Sequence, residues 1–182
     1  GQGSERFAMH VNGLELPAYD PRAAMIVGLS YFTANRGGDH VTSTVIAPTF
    51  IDATILLVEE SHIQDPYEVV PEEAKIVMDM ENGGAVFDCI GGCKFFGLLL
   101  YADDSVDLIS NATGWDFTVD DFRKGGERVY NLARAFCVRE GINREKDILP
   151  ARLMEDPLPG GSAEGMVLGR DDLEILKDAY YD

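Results

Sequence analysis

The sequence predicts an all-α, multihelical domain with long loops and little or no strand. Proline and acidic residues typical of helix N-termini occur at residues 20–21 and 71–73. Thr118 and Asp121 match a capping box, with Asp in place of the usual Glu, and apolar residues follow at helical spacing. Prolines interrupt the β-branched segments after residue 41, so we predict loops there and one short helix at residues 51–60.

Four helices are expected to contain most of the apolar residues. The first is apolar on nearly every face, which predicts a central, buried helix that ends at Gly37-Gly38. The third contains Gly125-Gly126, and because glycine weakens a helix, close packing or a binding site is expected there. The four helices are predicted at residues 20–36, 71–88, 118–141 and 171–181.

The segments between these helices are predicted to be loops. Residues 1–19 are expected to be extended, since the residue before Pro17 avoids the α region. Residues 103–117 are polar and rich in turn-forming residues, and residues 142–165 contain several prolines and glycines. Residues 166–168 are predicted to form one short strand.

Length, composition and charge indicate one globular domain over residues 1–182. Apolar residues make up 46% and charged residues 26% of the chain, which is long enough to bury a sizeable core. The net charge of −17 disfavours binding to nucleic acid or to anionic membranes. No apolar run approaches the roughly 20 residues that a membrane span needs. Three cysteines without a disulfide pattern favour the cytoplasm.

The stretch from Ala85 to Phe96 holds an acid and two thiols inside an otherwise apolar run. Its apolar flanks predict burial, and a buried Asp88 or Cys93 requires a partner. The Cys-x-x-x-Cys spacing alone leaves three interpretations open for Cys89 and Cys93: structural thiols, a metal site or a redox pair. An iron–sulfur cluster needs four thiolates in most cases, and the chain contains three cysteines.

A histidine beside an acid follows the first predicted helix. His40 comes directly after Gly37-Gly38 and Asp39, where a glycine turn and a carboxylate can orient an imidazole for proton transfer. A histidine that hydrogen-bonds the last carbonyls of the helix would have the same spacing. Asp88 likewise fits either a helix-terminal acid or a hydrogen-bond acceptor for a cofactor.

Six segments of the chain together form a specific pattern. Residues 88–93 read Asp-Cys-Ile-Gly-Gly-Cys, and residues 33–40 read Thr-Ala-Asn-Arg-Gly-Gly-Asp-His. In their order, the six segments resemble the C-terminal domain of the tungsten-containing aldehyde ferredoxin oxidoreductases. Residues 88–93 are similar to the family motif D-x-x-G-L-C, with Gly92 in place of leucine. The other four segments are residues 8–22, 126–132, 136–141 and 149–153.

The resemblance implies a redox enzyme. Members of this family oxidise aldehydes to carboxylic acids and pass two electrons to ferredoxin. Their tungsten is held by two pterin dithiolenes beside a 4Fe–4S cluster. The expected cofactors of the full-length enzyme are therefore tungstopterin (or molybdopterin) and a 4Fe–4S cluster. The expected partners are ferredoxin and a small aldehyde.

The same resemblance assigns roles to four residues. Cys93 takes the position of the last cluster ligand, and Asp88 takes that of an acid that binds a pterin. Lys94 follows the motif cysteine and is expected to contact the cofactor through its backbone. His40 is expected to lie near the metal and to move a proton during hydration or oxidation of the aldehyde.

The chain resembles only the C-terminal third of such an enzyme. The other cluster cysteines, spaced C-x-x-C-x-x-x-C, and the N-terminal domain that cradles the pterins are absent from these 182 residues. The isolated chain is therefore expected to be inactive and to need upstream domains or a partner subunit. Two alternatives remain open: a cofactor-free structural or interaction domain with the same fold, and a zinc or redox site formed by Cys89 and Cys93.

Overall fold

Helices make up most of the regular structure of the chain. The computed structural model describes residues 1–46, 63, 65–97 and 99–182. The prediction of a mainly helical fold is confirmed, while the predicted helix at residues 51–60 lies outside the described residues. Two strands form a hairpin, β1 (His10–Val11) and β2 (Leu14–Glu15), and short 3₁₀ helices occur at Glu5–Phe7, Pro21–Ala23, Pro71–Glu73 and Arg144–Lys146. The α-helices are α1 (Met25–Thr33), α2 (Ala74–Cys89), α3 (Lys94–Gly97), α4 (Ala102–Thr113), α5 (Val119–Arg139), α6 (Ala151–Glu155) and α7 (Arg170–Tyr181).

Helix α1 is the central element of the main hydrophobic core. All 9 of its residues are buried, as its all-round apolarity predicts. The helix is shorter than predicted, because Pro21–Ala23 form a separate 3₁₀ turn and Ala24 is extended (φ −160°, ψ 95°). The N–H of Met25 donates to the carbonyl of Pro66 (2.8 Å) and so has a partner outside the helix. At the other end, α1 stops at Thr33.

Helices α2 and α5 cross at very short distance. A Cβ atom on Gly126 of α5 would lie 2.2 Å from the carbonyl oxygen of Asn82 in α2, so glycine is required for this approach. A Cβ atom on Gly125 would meet no atom within 4 Å. The close packing predicted for this glycine pair is therefore confirmed at Gly126. Gly84 makes another close approach, since its Cβ atom would lie 2.5 Å from the carbonyl oxygen of Thr42.

Helix α5 is amphipathic, but its buried face is not the one that its apolar residues indicate. Leu132 and Phe136 expose 71% and 57% of their surface. The residues that α5 buries are Phe122, Gly126, Tyr130 and Cys137.

Among the helices of the described residues, none combines the length and apolarity that crossing a membrane requires.

A hairpin in the segment predicted to be extended supports the turn after α1. Asn12 and Gly13 have positive φ angles of 50° and 85°, as in a two-residue type I′ turn. Gly37, with φ of 98°, packs on this hairpin, because a Cβ atom there would lie 2.4 Å from the carbonyl oxygen of Val11. The hairpin thereby positions the turn that leads to His40.

Helix α4 occupies most of the segment predicted to be a polar loop, so that prediction is wrong. Val106 and Ile109 are buried on one face of α4, in a second hydrophobic cluster with Phe87 and Phe122. One buried face is sufficient to hold a helix on the protein. The polar residues on its other face gave the segment the composition of a loop.

Two of the remaining helix starts follow signals in the sequence. The Thr118 hydroxyl accepts the N–H of Asp121 (3.2 Å), and the Asp121 carboxylate accepts the N–H of Thr118 (3.0 Å). The predicted capping box is therefore confirmed. At α7, the carboxylate of Asp172 accepts the N–H of Gly169 (3.0 Å), so Asp172 lies in the first turn of a helix that begins at Arg170, one residue before the predicted start.

Residues 166–168 form no strand, so this prediction is wrong. The N–H of Leu168 donates to the carbonyl of Leu153 (3.1 Å), and the N–H of Leu158 donates to the carbonyl of Met166 (3.0 Å). These bonds join the segment to two different parts of the preceding chain. A strand is held by a continuous ladder of backbone hydrogen bonds to a neighbouring strand, and these two single bonds do not form one.

We expect Gly126→Ala to lower the free energy of unfolding by about 1–3 kcal/mol, because its Cβ atom would overlap the carbonyl of Asn82. Gly125→Ala is the matched control. Open space surrounds that position, so better helix propensity should raise stability by up to about 1 kcal/mol. Urea denaturation measures both effects, and equal effects of the two substitutions would contradict the close crossing.

Candidate functional site

A cavity of about 530 Å³ lies between α2, α5, the turn after α1 and the start of α3. It brings together three of the predicted site residues, Asp88, Cys93 and Lys94. His40 is not among the lining residues of the described part of the chain, although its next two neighbours are. The remaining lining residues are Asn35, Arg36, Val41, Thr42, Glu81, Ala85, Cys89, Gly92, Phe95, Val129, Tyr130 and Ala133.

The C-terminus of α2 places Cys93 at the cavity. The helix ends in a Schellman motif, in which the N–H of Gly92 donates to the carbonyl of Phe87 (2.8 Å). Gly91 has φ of 72°, the left-handed conformation that this motif needs. A Cβ atom on Gly92 would lie 2.6 Å from the ring of Phe87. Glycine in place of the leucine of the family motif therefore fits the local packing.

The stretch around Cys93 is exposed, which corrects the prediction that it is buried. Asp88, Cys89 and Cys93 are exposed, and Phe95 and Phe96 expose 65% and 54% of their surface. An apolar sequence predicts that a segment favours burial, but it does not say what covers it. Large exposed apolar groups are typical of a surface that contacts another molecule or domain.

Lys94 connects the end of α2 to the turn after α1. Its ammonium group lies 3.0 Å from the carboxylate of Asp88 and donates to the carbonyl of Thr42 (3.5 Å). The Lys94 side chain is largely buried, whereas Asp88 is exposed. The pair therefore presents a carboxylate to the cavity and holds its countercharge behind it.

Asp39 holds the turn that carries His40. Its carboxylate accepts hydrogen bonds from the Arg36 side chain (2.9 Å), from the N–H of Val41 (2.9 Å) and from the hydroxyl of Thr42. Burial acts to raise the pKa of Asp39, but these hydrogen bonds outweigh it and hold the pKa below its ordinary value. The charged carboxylate thereby holds the backbone of Val41 and Thr42, two residues that line the cavity.

Two buried polar atoms at this turn have no hydrogen-bond partner among the described residues. They are Nδ1 of His40 and Oδ1 of Asn35, and Asn35 lines the cavity. The ring of His40 lies 5.2 Å from the ring of Tyr19, measured between centroids. Since buried polar groups are normally hydrogen-bonded, these two atoms fit a polar ligand that the described residues do not supply.

A buried carboxyl group that the sequence analysis missed also lines the cavity. Glu81 of α2 is only 1% exposed. It accepts hydrogen bonds from the hydroxyls of Tyr180 (2.5 Å) and Thr33 (3.3 Å). The Tyr130 hydroxyl donates to the carbonyl of Thr33 (3.4 Å) and interacts with the Glu81 carboxyl. The sequence did contain a sign of this site, since Glu81 follows Val77 by four residues and therefore lies on the same face of α2. Charged residues are rarely buried on such a face without a function or a partner.

The titration of Glu81 differs from that of an ordinary glutamate. Burial raises the pKa of Glu81 to about 7, although hydrogen bonds from Tyr180, Tyr130 and Thr33 favour the charged form. Burial and the neighbouring carboxyl raise the pKa of both tyrosines well above the ordinary value, so both hydroxyls remain protonated. Glu81 can therefore gain or lose a proton near neutral pH at the wall of the cavity.

Comparison with known proteins identifies the family. The whole chain, residues 1–182, matches the family described as "Aldehyde ferredoxin oxidoreductase, domains 2 & 3". The chain belongs to the aldehyde ferredoxin oxidoreductase family. The resemblance predicted from the six sequence segments is thereby confirmed.

The relatives that the chain matches are longer proteins. The chain is 38% identical over 167 residues to the tungsten-containing aldehyde ferredoxin oxidoreductase of Thermococcus kodakarensis, covering 91% of this chain and 26% of that protein. It is 40% identical over 167 residues to the protein of the same name from Pyrococcus abyssi, covering 91% of this chain and 26% of that protein. The chain thus spans about a quarter of the length of the curated relatives that it matches.

Replacing Glu81 with Gln is expected to remove a pH-dependent loss of stability. Between the ordinary pKa of 4.5 and the folded-state pKa of about 7, the folded chain binds one more proton than the unfolded chain. The stability contributed by neutral Glu81 is therefore fully present below pH 4.5 and is lost as pH rises through 7. The loss amounts to about 3 kcal/mol.

Because Gln resembles the neutral form, the difference in unfolding free energy between Glu81→Gln and the wild type should rise by that amount from pH 4.5 to 8. Urea denaturation at a series of pH values measures it. The control is Glu127→Gln, which removes an exposed carboxylate of α5. If the difference in unfolding free energy between Glu81→Gln and the wild type changes with pH no more than that of the control, the assignment is contradicted.

Proposed function

We propose that the chain is the C-terminal part of a tungsten- (or molybdenum-) pterin oxidoreductase that oxidises aldehydes to carboxylic acids with ferredoxin as electron acceptor. The observation that carries the proposal is the convergence of Asp88, Cys93 and Lys94 on one cavity. Membership of the family supports it, as do relatives whose names describe tungsten-containing aldehyde ferredoxin oxidoreductases. The proposal includes a cytoplasmic location and a single domain over residues 1–182.

Cys93 is proposed to donate one thiolate to a 4Fe–4S cluster. Its thiol is exposed and lines the cavity, as a ligand for a group supplied from outside requires. Within the described residues, no group of three or more His, Cys, Asp and Glu side chains could hold a metal ion. The other ligands of a four-thiolate cluster would therefore come from outside these residues.

Asp88 and Lys94 are proposed to hold the pterin. The exposed carboxylate of Asp88 can accept hydrogen bonds from ring N–H groups, and the adjacent Lys94 ammonium orients that carboxylate. The unpaired Oδ1 of Asn35 is a further acceptor at the same cavity. These donors and acceptors fit a polar heterocycle.

His40 is proposed to move a proton near the reacting aldehyde. The overall reaction, RCHO + H₂O → RCOOH + 2 H⁺ + 2 e⁻, requires groups that accept protons. The chemistry that the metal centre supplies when bound is the acceptance of the two electrons, which then pass to ferredoxin. His40 has a buried Nδ1 without a partner among the described residues, so this atom remains open to a donor or acceptor brought by the substrate or cofactor.

The exposed apolar surface next to Cys93 is proposed to contact the rest of the enzyme. It consists of large side chains that a protein of this size would bury if it functioned alone. The same surface supports the second candidate function, a cofactor-free interaction domain, and the metal content of the complete enzyme distinguishes the two. The residues of this surface are Ile90, Phe95, Phe96 and Leu99, which lie within six positions of Cys93 in the sequence.

Cys93→Ser in the complete enzyme, purified without air, is expected to abolish or alter the 4Fe–4S cluster, since Ser is a poor substitute for a thiolate ligand. The matched control is Cys89→Ser, because Cys89 lines the same cavity four residues earlier. Iron, sulfide and tungsten content, together with the visible absorption spectrum, measure the effect. A normal cluster in the Cys93→Ser enzyme would overturn the assignment, and loss in the Cys89→Ser enzyme alone would transfer the role to Cys89.

A further inference from the structure

Two residues of the cavity at Cys93 also line a second cavity. Glu81 and Tyr130 contribute to both. The second cavity has a volume of about 320 Å³ and lies beside the N-terminal half of α2. Exposed side chains such as Lys75 and Glu127 line it, so it reaches the solvent. Glu81 and Tyr130 therefore lie where the cavity of the proposed active site meets a route to the protein surface.

A chain of hydrogen bonds joins the two cavities through Glu81. On the side of the second cavity, the hydroxyl of Tyr180 donates to Oε2 of Glu81 (2.5 Å). The hydroxyl of Thr33 lies 3.3 Å from the other carboxyl oxygen of Glu81, Oε1. The Tyr130 hydroxyl donates to the carbonyl of Thr33 (3.4 Å), and Tyr130 lines both cavities beside Glu81. Each group in this chain can both accept and donate a proton when Glu81 alternates between its two forms.

We propose that Glu81, with the hydroxyls of Tyr130 and Tyr180, conducts protons between the cavity at Cys93 and the second cavity. The inference rests on the proposed function, because it assigns the exit route for protons that the proposed reaction releases. Glu81 is in this view a proton-relay residue that does not itself touch the substrate.

The stoichiometry of the reaction requires that protons leave the site. Each aldehyde consumes one water and releases two protons, while two electrons leave to ferredoxin. Glu81, which lines the first cavity, can take up one proton there, and its Oε2 can release one through Tyr180 on the side of the second cavity. Two cycles remove the protons of one turnover and return Glu81 to its starting form. No oxidant other than ferredoxin is involved.

The charges around Glu81 are compatible with a carboxyl group that changes its protonation state. Helix α5 presents Tyr130 and Arg134 to it, and Arg134 is itself paired with the buried Asp147 (2.5 Å). Helix α7 presents Tyr180, with Tyr181 adjacent and donating to Asp147. Helix α1 contributes the uncharged Thr33. Among the described residues, no positively charged group bonds Glu81, so no partner holds the carboxyl permanently in its ionised form.

The first test is spectroscopic and needs no turnover. In the complete enzyme, a pH-difference infrared spectrum should contain the carbonyl stretch of a protonated carboxylic acid that titrates near neutral pH, where ordinary carboxyl groups are already ionised. Glu81→Gln should remove this band, and Glu127→Gln should leave it in place. A spectrum of Glu81→Gln identical to that of the wild type would overturn the proposal.

The second test uses turnover with matched tyrosine variants. Glu81→Gln should lower kcat roughly 100-fold, the low end of what positioned acid–base groups contribute, with KM and the iron and tungsten contents unchanged. Tyr180→Phe should also lower kcat and enlarge the solvent deuterium isotope effect. Tyr181→Phe is the control, because it removes a buried hydroxyl from the same helix that bonds Asp147 and not Glu81. It should retain the wild-type values.

The outcomes separate the relay from the proposed function. Wild-type enzyme that oxidises no aldehyde would overturn the proposed function and the relay with it. Active wild type with equally active Glu81→Gln would overturn the relay alone. If Glu81→Gln loses metal, Tyr130→Phe and Tyr180→Phe decide: effects equal to that of Tyr181→Phe overturn the relay, and a selective loss of kcat in the first two supports it.

Discussion

The close crossing of α2 and α5 is the constraint on which the site depends. At Gly126 the backbone of α5 reaches the carbonyl of Asn82, a distance that any side chain would prevent. One turn further along α5, Tyr130 then lies beside Glu81 of α2, and both side chains line the cavity. Without this approach, the cavity would lose one wall.

Burial of a glutamate costs free energy of folding, and the surroundings of Glu81 show how this cost is offset. Hydroxyls of Thr33 in α1 and Tyr180 in α7 hydrogen-bond Glu81 of α2, and Tyr130 of α5 donates to the carbonyl of Thr33, so this polar cluster in the core ties the four helices together. Such a fully satisfied polar cluster favours one helix arrangement over others. The same carboxyl retains a pKa near neutrality, which an apolar residue or a surface glutamate would not offer.

The surface around Cys93 has the opposite character, since large apolar side chains lie exposed beside a cavity with unsatisfied polar atoms. Phe95 and Phe96 are exposed, and Oδ1 of Asn35 has no partner among the described residues. The chain spans about a quarter of the length of its relatives. The proposed contact with the rest of the enzyme would cover both features.

The sequence by itself determined the family, the mainly helical fold and the local helix signals. The capping box at Thr118 is an interaction between near neighbours, and motifs such as residues 88–93 are local as well. Only the tertiary structure decided which face of each helix is buried. Helix α5 buries Tyr130 and leaves Leu132 exposed, and α4 is held by contacts with Phe87 that no local pattern reports. Burial of Glu81 and exposure of Cys93 likewise depend on what other segments place beside them, because periodicity specifies a face of a helix but not its neighbour.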